Sequence, residues 1–286
     1  MSTKEIVRKD IPIALSGEYM TQLTNASGGG RKYEVNGKQY DSVTTLINNT
    51  LRNFGVERWK DGWISDQLAH FDGRQLTSSL ATEIVTASAR EMEESASIGT
   101  YMHSIIEALL RNEELENQVT DQLEPAVRAW LKWRRQFIEW QLVGTEVGVY
   151  GDGYAGQVDA LFKQGDSYMV VDWKTSSGLY DSSFLQVAAY AHALKEMYFT
   201  PATIVKACVV RLVNDYPRIK CTDPEHIAQK KHDDKCKHGK KNRRVPKVFS
   251  DECEYVCIDV PSWYDTFSHM VATSSGVKQK VQKVRI

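Results

Sequence analysis

Residues 154–174 read YAGQVDALFKQGDSYMVVDWK, and the fold turns on how this stretch divides. Lys163-Gln164-Gly165-Asp166 is a cluster of turn-forming residues, and apolar and polar positions alternate on both sides of it. That pattern predicts strands over 154–162 and 167–173, joined as an antiparallel hairpin. With 163–166 as the turn, Phe162 faces Ser167, Gln157 lies opposite Asp172, and Asp159 lies opposite Val170. Side chains alternate by face, so Asp159, Asp172 and Lys174 project from one side within diagonal reach of each other. The opposite face carries Val158, Ala160, Phe162, Met169, Val171 and Trp173, which reads as the core side. A slip of one residue in the turn would send Asp159 to that core side instead.

Two carboxylates and an ammonium converging beside an apolar sheet need a physical reason. Buried unpaired carboxylates repel, and one of them would be forced to take a proton. A divalent cation removes the conflict. Mg2+ is suited to one or two carboxylates plus water and phosphate oxygens, so the expected cofactor is Mg2+ or Mn2+. Lys174 would orient or deprotonate the attacking water, or neutralise charge developing in the transition state. The alternative is a solvent-exposed, salt-bridged hairpin.

Outward from the hairpin, residues 145–150 read as a preceding strand, followed beyond it by a helix over about 182–198 and a strand over 204–213. A strand over 254–260 leads into a last helix. Upstream, Tyr33 to Tyr40 reads as a hairpin whose Asn36-Gly37 supplies the two φ > 0 positions of a tight turn. Ser42 is placed to cap the next helix, and residues 55–140 are patterned as helices. Trp130, Trp133 and Trp140, with Phe137, recur at helical spacing as core rather than as a base-stacking platform. Residues 1–30, ending in Ala26-Ser27-Gly28-Gly29-Gly30, read as a flexible lead-in. The expected fold class is α/β: a mixed β-sheet flanked by helices, with a helical N-terminal half. Residues 31–286 form a single domain, with a helical part at about 42–141 and a sheet core at about 142–213. A basic insertion at about 214–249 and a C-terminal strand and helix over 252–286 complete it.

Composition is that of a soluble globular chain, with no apolar run long enough to span a bilayer. The first twenty residues hold no secretory apolar core, and Glu5 and Asp10 argue against an acid-poor transit peptide. Cys208, Cys221, Cys236, Cys253 and Cys257 are too few and scattered for a disulfide framework and read as reduced thiols. A cytoplasmic location follows, or the mitochondrial matrix for a processed eukaryotic protein. The net charge of −1 hides a dipole: residues 217–247 carry eleven Lys/Arg against four Asp/Glu, an excess of seven, which leaves the remainder at −8. A basic segment on an acidic body fits either a nucleic-acid contact or a solvated, partly disordered insertion.

Four sequence elements stand in order. Gly99, His103 and Glu107 form G-x-x-x-H-x-x-x-E on a helix, and Gly156 to Asp159 form G-x-x-D. Asp172 to Lys174 form D-x-K, and Gln186 to Tyr190 form Q-x-x-x-Y. This set resembles the RecB-like branch of the PD-(D/E)XK nuclease superfamily. Tyr40-Asp41-Ser42-Val43-Thr44-Thr45-Leu46 is similar to a P-S-V-T segment of mitochondrial genome-maintenance and phage exonucleases, with Asp41 where proline is usual. Arg58-Trp59-Lys60 resembles the helix that follows there. The resemblance spans about 33–212 and implies a restriction-endonuclease-like fold. It implies metal ligation by His103, Asp159, Asp172 and the Trp173 carbonyl, with Glu146 at the acidic position of the first core strand and Lys174 as catalytic lysine. Gln186 and Tyr190 would support the site and touch DNA, and Ser42 and Thr44 would contact the strand. Lys240, Lys241, Arg243 and Arg244 would track phosphates from the basic segment.

Some RecB-like nucleases hold an iron–sulfur cluster, but the upstream cysteine and the tight Cys-x-x-Cys spacing are missing here. Cys253 and Cys257 would lie about 13 Å apart on one strand face, too far to share an ion. A zinc knuckle from Cys221, His226, Cys236 and His238 stays open. The expected activity is metal-dependent hydrolysis of DNA phosphodiesters, from single strands or ends, in replication, repair or recombination. Its rivals are a non-cleaving DNA-binding subunit and a zinc-organised interaction protein built on 221–257.

Overall fold

The computed structural model describes residues 6–25, 30–51, 54–68, 77–115, 118–199, 203–219, 240–241 and 247–283. Its centre is the expected hairpin, β6 (Tyr154–Gln164) and β7 (Ser167–Lys174), preceded by β5 (Gln141–Gly151). Phe162 pairs with Met169 and Gln164 with Ser167, so the turn is only Gly165-Asp166, with Gly165 at φ +56°. The expected four-residue turn is therefore corrected by two residues. A shift of two preserves side-chain parity, and the assignment of faces survives at every position named except Val158.

The mixed α/β architecture expected from the pattern is present. The sheet runs β1-β2-β3-β4-β6-β7-β8-β11, with β5 paired to the other edge of β6. Here β3 (Lys32–Val35) and β4 (Lys38–Ser42) flank Asn36 and Gly37, both at positive φ. Strand β8 (Ile204–Asp215) pairs parallel to β7, and β11 (Val248–Ile258) pairs antiparallel to β8. Two short strands, β9 (Arg218–Ile219) and β10 (Lys240–Lys241), pair separately.

Helices cover both faces. Against one lie α1 (Val43–Thr50), α5 (Asp181–Tyr198) and α6 (Val260–Lys283), whose core joins Val43, Ile47, Leu185, Leu194 and Phe267 to Leu161 and Val170. Against the other lie α3 (Ser78–Arg111) and α4 (Glu124–Gln136), which bury Met102, Ile106, Trp130 and Trp133 on Phe162, Met169, Val171 and Trp173. The Trp133 and Trp173 rings meet edge to face, 5.0 Å between centroids, so these tryptophans are core as expected. Val158, assigned by alternation to the Trp173 side, packs instead in the first core. Helix α2 (Phe54–Leu68) lies against α3.

Two further expectations are corrected. The lead-in is not featureless: β1 (Ile6–Pro12) and β2 (Tyr19–Asn25) form a hairpin extending the sheet beyond β3. Ile11, Ile13 and Met20 bury against Tyr33 and Val35. A parallel bridge from Ile13 to Gly148, with Ala14 N–H donating to the Gly148 carbonyl at 2.9 Å, returns the chain to β5. Gly148 leaves room for the Met20 side chain, whose Cε a β-carbon there would meet at 2.4 Å. The charged run Arg8-Lys9-Asp10 and Pro12 blunt the alternation that would have marked β1 as a strand. The second correction concerns the thiols. Cys208 and Cys257 are register partners on β8 and β11 and are joined as a disulfide, so the cysteines are not all reduced. Cys257 is thereby removed from any zinc set, while Cys253 stays free. Cys221, His226, His232, Cys236 and His238 lie outside the described residues. Among the described residues no helix is long and apolar enough to cross a membrane.

Candidate active site

The site sits where the sheet splits. Along one edge of β6, pairing with β4 ends at Ala155 and pairing with β7 begins at Ala160. Residues 156–159 thus face an opening between two diverging strands. The Trp173 N–H, past the end of the β6–β7 ladder, donates instead to Asp159 Oδ2 at 2.8 Å. A backbone donor that has lost its ladder partner needs another acceptor, and the carboxylate is fixed in place by filling that need.

Three elements bring further groups to the opening. Helix α3 presents Gly99 and His103 one turn apart on the same face. A β-carbon on Gly99 would lie 3.0 Å from Thr175 Oγ1, so glycine lets the helix close on the end of β7. His103 Nε2 lies 3.0 Å from the Trp173 carbonyl, and Nδ1 lies 3.6 Å from Asp159 Oδ2. Since a carbonyl only accepts, that contact requires the proton on Nε2. Strand β5 brings Glu146, whose neighbours Thr145 and Val147 pair with Ala160 and Val158 and so set it across from Asp159. Glu146 has φ +53°, a left-handed conformation that L-residues with a β-carbon adopt at a cost. One donor atom each from His103, Glu146 and Asp159 lie within 4.8 Å of one another.

Helix α5 supports the other half. Gln186 Nε2 donates to Asp172 Oδ1 at 2.9 Å and to the Tyr190 hydroxyl at 3.2 Å, while Lys174 Nζ donates to Gln186 Oε1 at 3.3 Å. Lys174 Nζ also sits 2.7 Å from Asp172 Oδ2. Asp172 is only 1% exposed, so its charge depends on these partners. The Tyr190 ring packs on Gly156, where a β-carbon would lie 2.1 Å from Tyr190 Cε1. A Gly156→Ala variant is expected to lose about 1–3 kcal/mol by overpacking, read as a lower urea midpoint. An unchanged midpoint would show that Tyr190 can move away freely.

The electrostatics fit a cation. Burial, then the charges of Asp159 and Glu107, push the Glu146 carboxyl up to about 7. Burial, then Asp172, push Asp159 up to about 8. Burial holds the His103 imidazole below its ordinary value, which favours the neutral ligand form. Burial pulls Lys174 down, but Asp172 and Asp159 outweigh it and the net shift is upward. Two carboxyl groups are thus held partly protonated near neutrality beside an imidazole that favours its neutral form. That donor set suits a hard divalent ion, which would displace the protons.

These groups line a cleft of about 400 Å³. Thr44, Gln186 and Tyr190 line it, together with His103, Glu146, Asp159, Asp172 and Lys174. Ser42 does not line it. Only 2% exposed, it caps α1 by accepting from Thr45 N–H at 3.0 Å. Glu107 is turned to Arg111, 2.7 Å away, and accepts from Thr145. Lys240 and Lys241 lie on β10, while Arg243 and Arg244 fall outside the described residues. Sequence reasoning missed Lys9, Gln22, Arg31 and Tyr33, all contributed by the β1–β3 segment. It also missed Asn214 and Arg211, which hold the chain after Lys174 by donating to the Thr175 and Ser176 carbonyls. Arg211, a charge set between Val209-Val210 and Leu212-Val213, was the one visible signal. A second groove, of about 630 Å³ and lined partly by Leu51, Trp59, Met92 and Tyr180, shares Lys174 with the cleft.

No curated protein matches the chain. A profile of the PD-(D/E)XK nuclease superfamily matches residues 68–255, more than half of the 286 residues, and takes in every cleft residue from α3, β5, β6, β7 and α5. By that match the chain belongs to the PD-(D/E)XK nuclease superfamily.

Proposed function

We propose that this protein is a metal-dependent deoxyribonuclease of the RecB-like branch, an exonuclease acting on single-stranded DNA or DNA ends in replication, repair or recombination. The observation that carries the reading is the convergence of His103, Glu146 and Asp159 within 4.8 Å, in one cleft with the Lys174–Asp172 pair. His103, Glu146 and Asp159 would hold Mg2+ or Mn2+, with Asp172 and the Trp173 carbonyl beside them. Bound there, such an ion polarises a phosphoryl oxygen and lowers the pKa of water.

The chain's own residues do the rest. Lys174, held as an ammonium by Asp172 and aligned by Gln186, donates to a phosphate oxygen and offsets charge that develops on it. That protonation state favours the orienting and neutralising roles over deprotonation of water. Gln186, itself bonded to the Tyr190 hydroxyl, fixes Asp172, and Glu146 stands within 4.8 Å of His103 and Asp159. Preference for unpaired DNA draws support from the second groove. Its apolar lining beside Lys174 suits unstacked bases, and stacking on an aromatic ring contributes roughly 1–3 kcal/mol per base. Thr44 in the cleft, and Lys240, Lys241, Arg243 and Arg244 of the basic segment, would contact the strand, while Ser42 acts only as the cap of α1.

The test is cleavage of end-labelled single-stranded DNA in Mg2+ or Mn2+, with chelator as control. Stepwise shortening, blocked by a cap at one terminus, is expected, and a Trp59→Ala variant is expected to lose selectively on single strands relative to duplex. Binding without cleavage under either ion would replace this reading with the non-cleaving subunit, and internal cuts in circular single strands would replace exonuclease with endonuclease.

A further inference from the structure

The first hairpin of the chain lies outside the residues matched to the superfamily, yet it forms a wall of the cleft. Its register explains how. Lys9 pairs with Gln22 across β1–β2, and Gln22 pairs with Tyr33 across β2–β3. The three therefore form one cross-strand row on one face, about 5 Å apart from strand to strand. Gln22 and Tyr33 are buried, and Lys9 is exposed at the outer end. Arg31 begins the same segment. Its carbonyl accepts from Ser42 N–H at 3.1 Å and from Thr45 Oγ1 at 3.4 Å, which pins its backbone to the start of α1. Its side chain reaches the Tyr33 hydroxyl.

Charge accounting gives these two cations a task. Among the described residues, the cleft is lined by three cationic side chains, Lys9, Arg31 and Lys174, and three carboxylates, Glu146, Asp159 and Asp172. The side chains balance, so a divalent ion would leave the cleft two positive charges in excess. One phosphodiester needs one of them. Lys174 already stands beside the carboxylates, where the scissile phosphate would lie, while Lys9 and Arg31 belong to a wall with no part in the donor set of His103, Glu146 and Asp159.

We infer that the β1–β3 hairpin is a phosphate-binding subsite: Lys9 and Arg31, spaced by the Gln22–Tyr33 row, hold the phosphodiester next to the scissile one in a polynucleotide strand. The inference rests on the nuclease reading above and adds a subsite to it. Sequence-independent phosphate contacts of this kind release counterions, so affinity falls with salt by about 0.7 log units per log unit of salt for each phosphate on a single strand. A substrate with a single phosphate cannot use the subsite.

The experiment compares wild type, the Lys9→Gln/Arg31→Gln double variant, and Arg8→Gln, whose side chain alternates to the other face of β1. Binding of a labelled oligothymidylate is followed by anisotropy across a salt series in Ca2+, with a gel check that the strand stays intact. Cleavage of the same strand in Mg2+ is set beside hydrolysis of bis(p-nitrophenyl) phosphate. Expected for the double variant are binding weaker by about tenfold at 0.1 M salt and a salt slope shallower by about 0.7. Its preference for the strand over the small diester should also fall by about tenfold, with Arg8→Gln behaving as wild type. An unchanged slope in the double variant overturns the subsite, as does an equal loss in Arg8→Gln, which would mark a diffuse field. Wild type inactive on both substrates in Mg2+ would sink the nuclease reading instead. Matching thermal midpoints of the three proteins exclude misfolding as the cause.

Discussion

Lys174→Ala is expected to lower kcat on DNA by about 10²–10⁴-fold while strand binding changes by less than about tenfold. The asymmetry follows from where the ammonium sits. Its nearest partners are Asp172 Oδ2 at 2.7 Å and Gln186 Oε1 at 3.3 Å, so in the resting protein it is already neutralised and aligned. Interactions that strengthen only as phosphate charge develops act on kcat and little on binding. Removing the ammonium also leaves Asp172, 1% exposed, with Gln186 as its remaining partner, so a drop in stability is expected alongside. Lys174→Arg separates the two effects: it restores the charge and much of the stability, but its planar fork cannot reproduce the single short contact. The readout is single-turnover cleavage with a thermal midpoint for each variant. Cleavage by Lys174→Ala within threefold of wild type would remove the lysine from the chemistry.

The hairpin of β6 and β7 was legible because its information is local. Alternation fixes faces, and an error of two residues in the turn is harmless where an error of one is not. Asp159, Asp172 and Lys174 therefore converge as expected even though the real turn is Gly165-Asp166. The i, i+4 spacing of Gly99, His103 and Glu107 was equally readable, but spacing could not say that Glu107 would turn to Arg111 while His103 turned inward. Glu146 was placed by resemblance alone. Its positive φ depends on the register of β5 against β6, which no single strand's sequence reveals. The Cys208–Cys257 pairing and the hairpin wall were invisible for the same reason: each joins segments that meet only when the sheet is complete. Sequence patterns report an element's own faces, while a site at the split of a sheet is assembled from the edges of several.

Asp159→Asn is expected to raise the stability of the metal-free protein while lowering cleavage on the order of 10³-fold. In the folded chain burial and Asp172 push Asp159 up to about 8, and burial and Asp159 push Glu146 up to about 7. In the unfolded chain both return to ordinary carboxylate values near 4. Above about pH 4 the unfolded state releases these protons, whereas the folded state holds them up to about 7 at Glu146 and about 8 at Asp159, so stability without metal falls as pH rises through that window. It is lost in full above the folded values. A divalent ion binds the deprotonated folded site, so its stabilisation must grow over the same window. Wild type should therefore show a metal-free midpoint that declines from pH 5 to pH 8.5. It should also show a shift on adding Mn2+ that is small at pH 5.5 and large at pH 8. The amide introduced by Asp159→Asn carries no charge, so in that variant the decline should flatten and the Mn2+ shift shrink. Each kilocalorie regained moves the midpoint by roughly 2–4 °C for a chain of this size. If the wild-type midpoint is flat across this range, or Asp159→Asn melts lower than wild type in chelator, the carboxylates are not held as repelling acids. The electrostatic argument for a cation between His103, Glu146 and Asp159 would then fall.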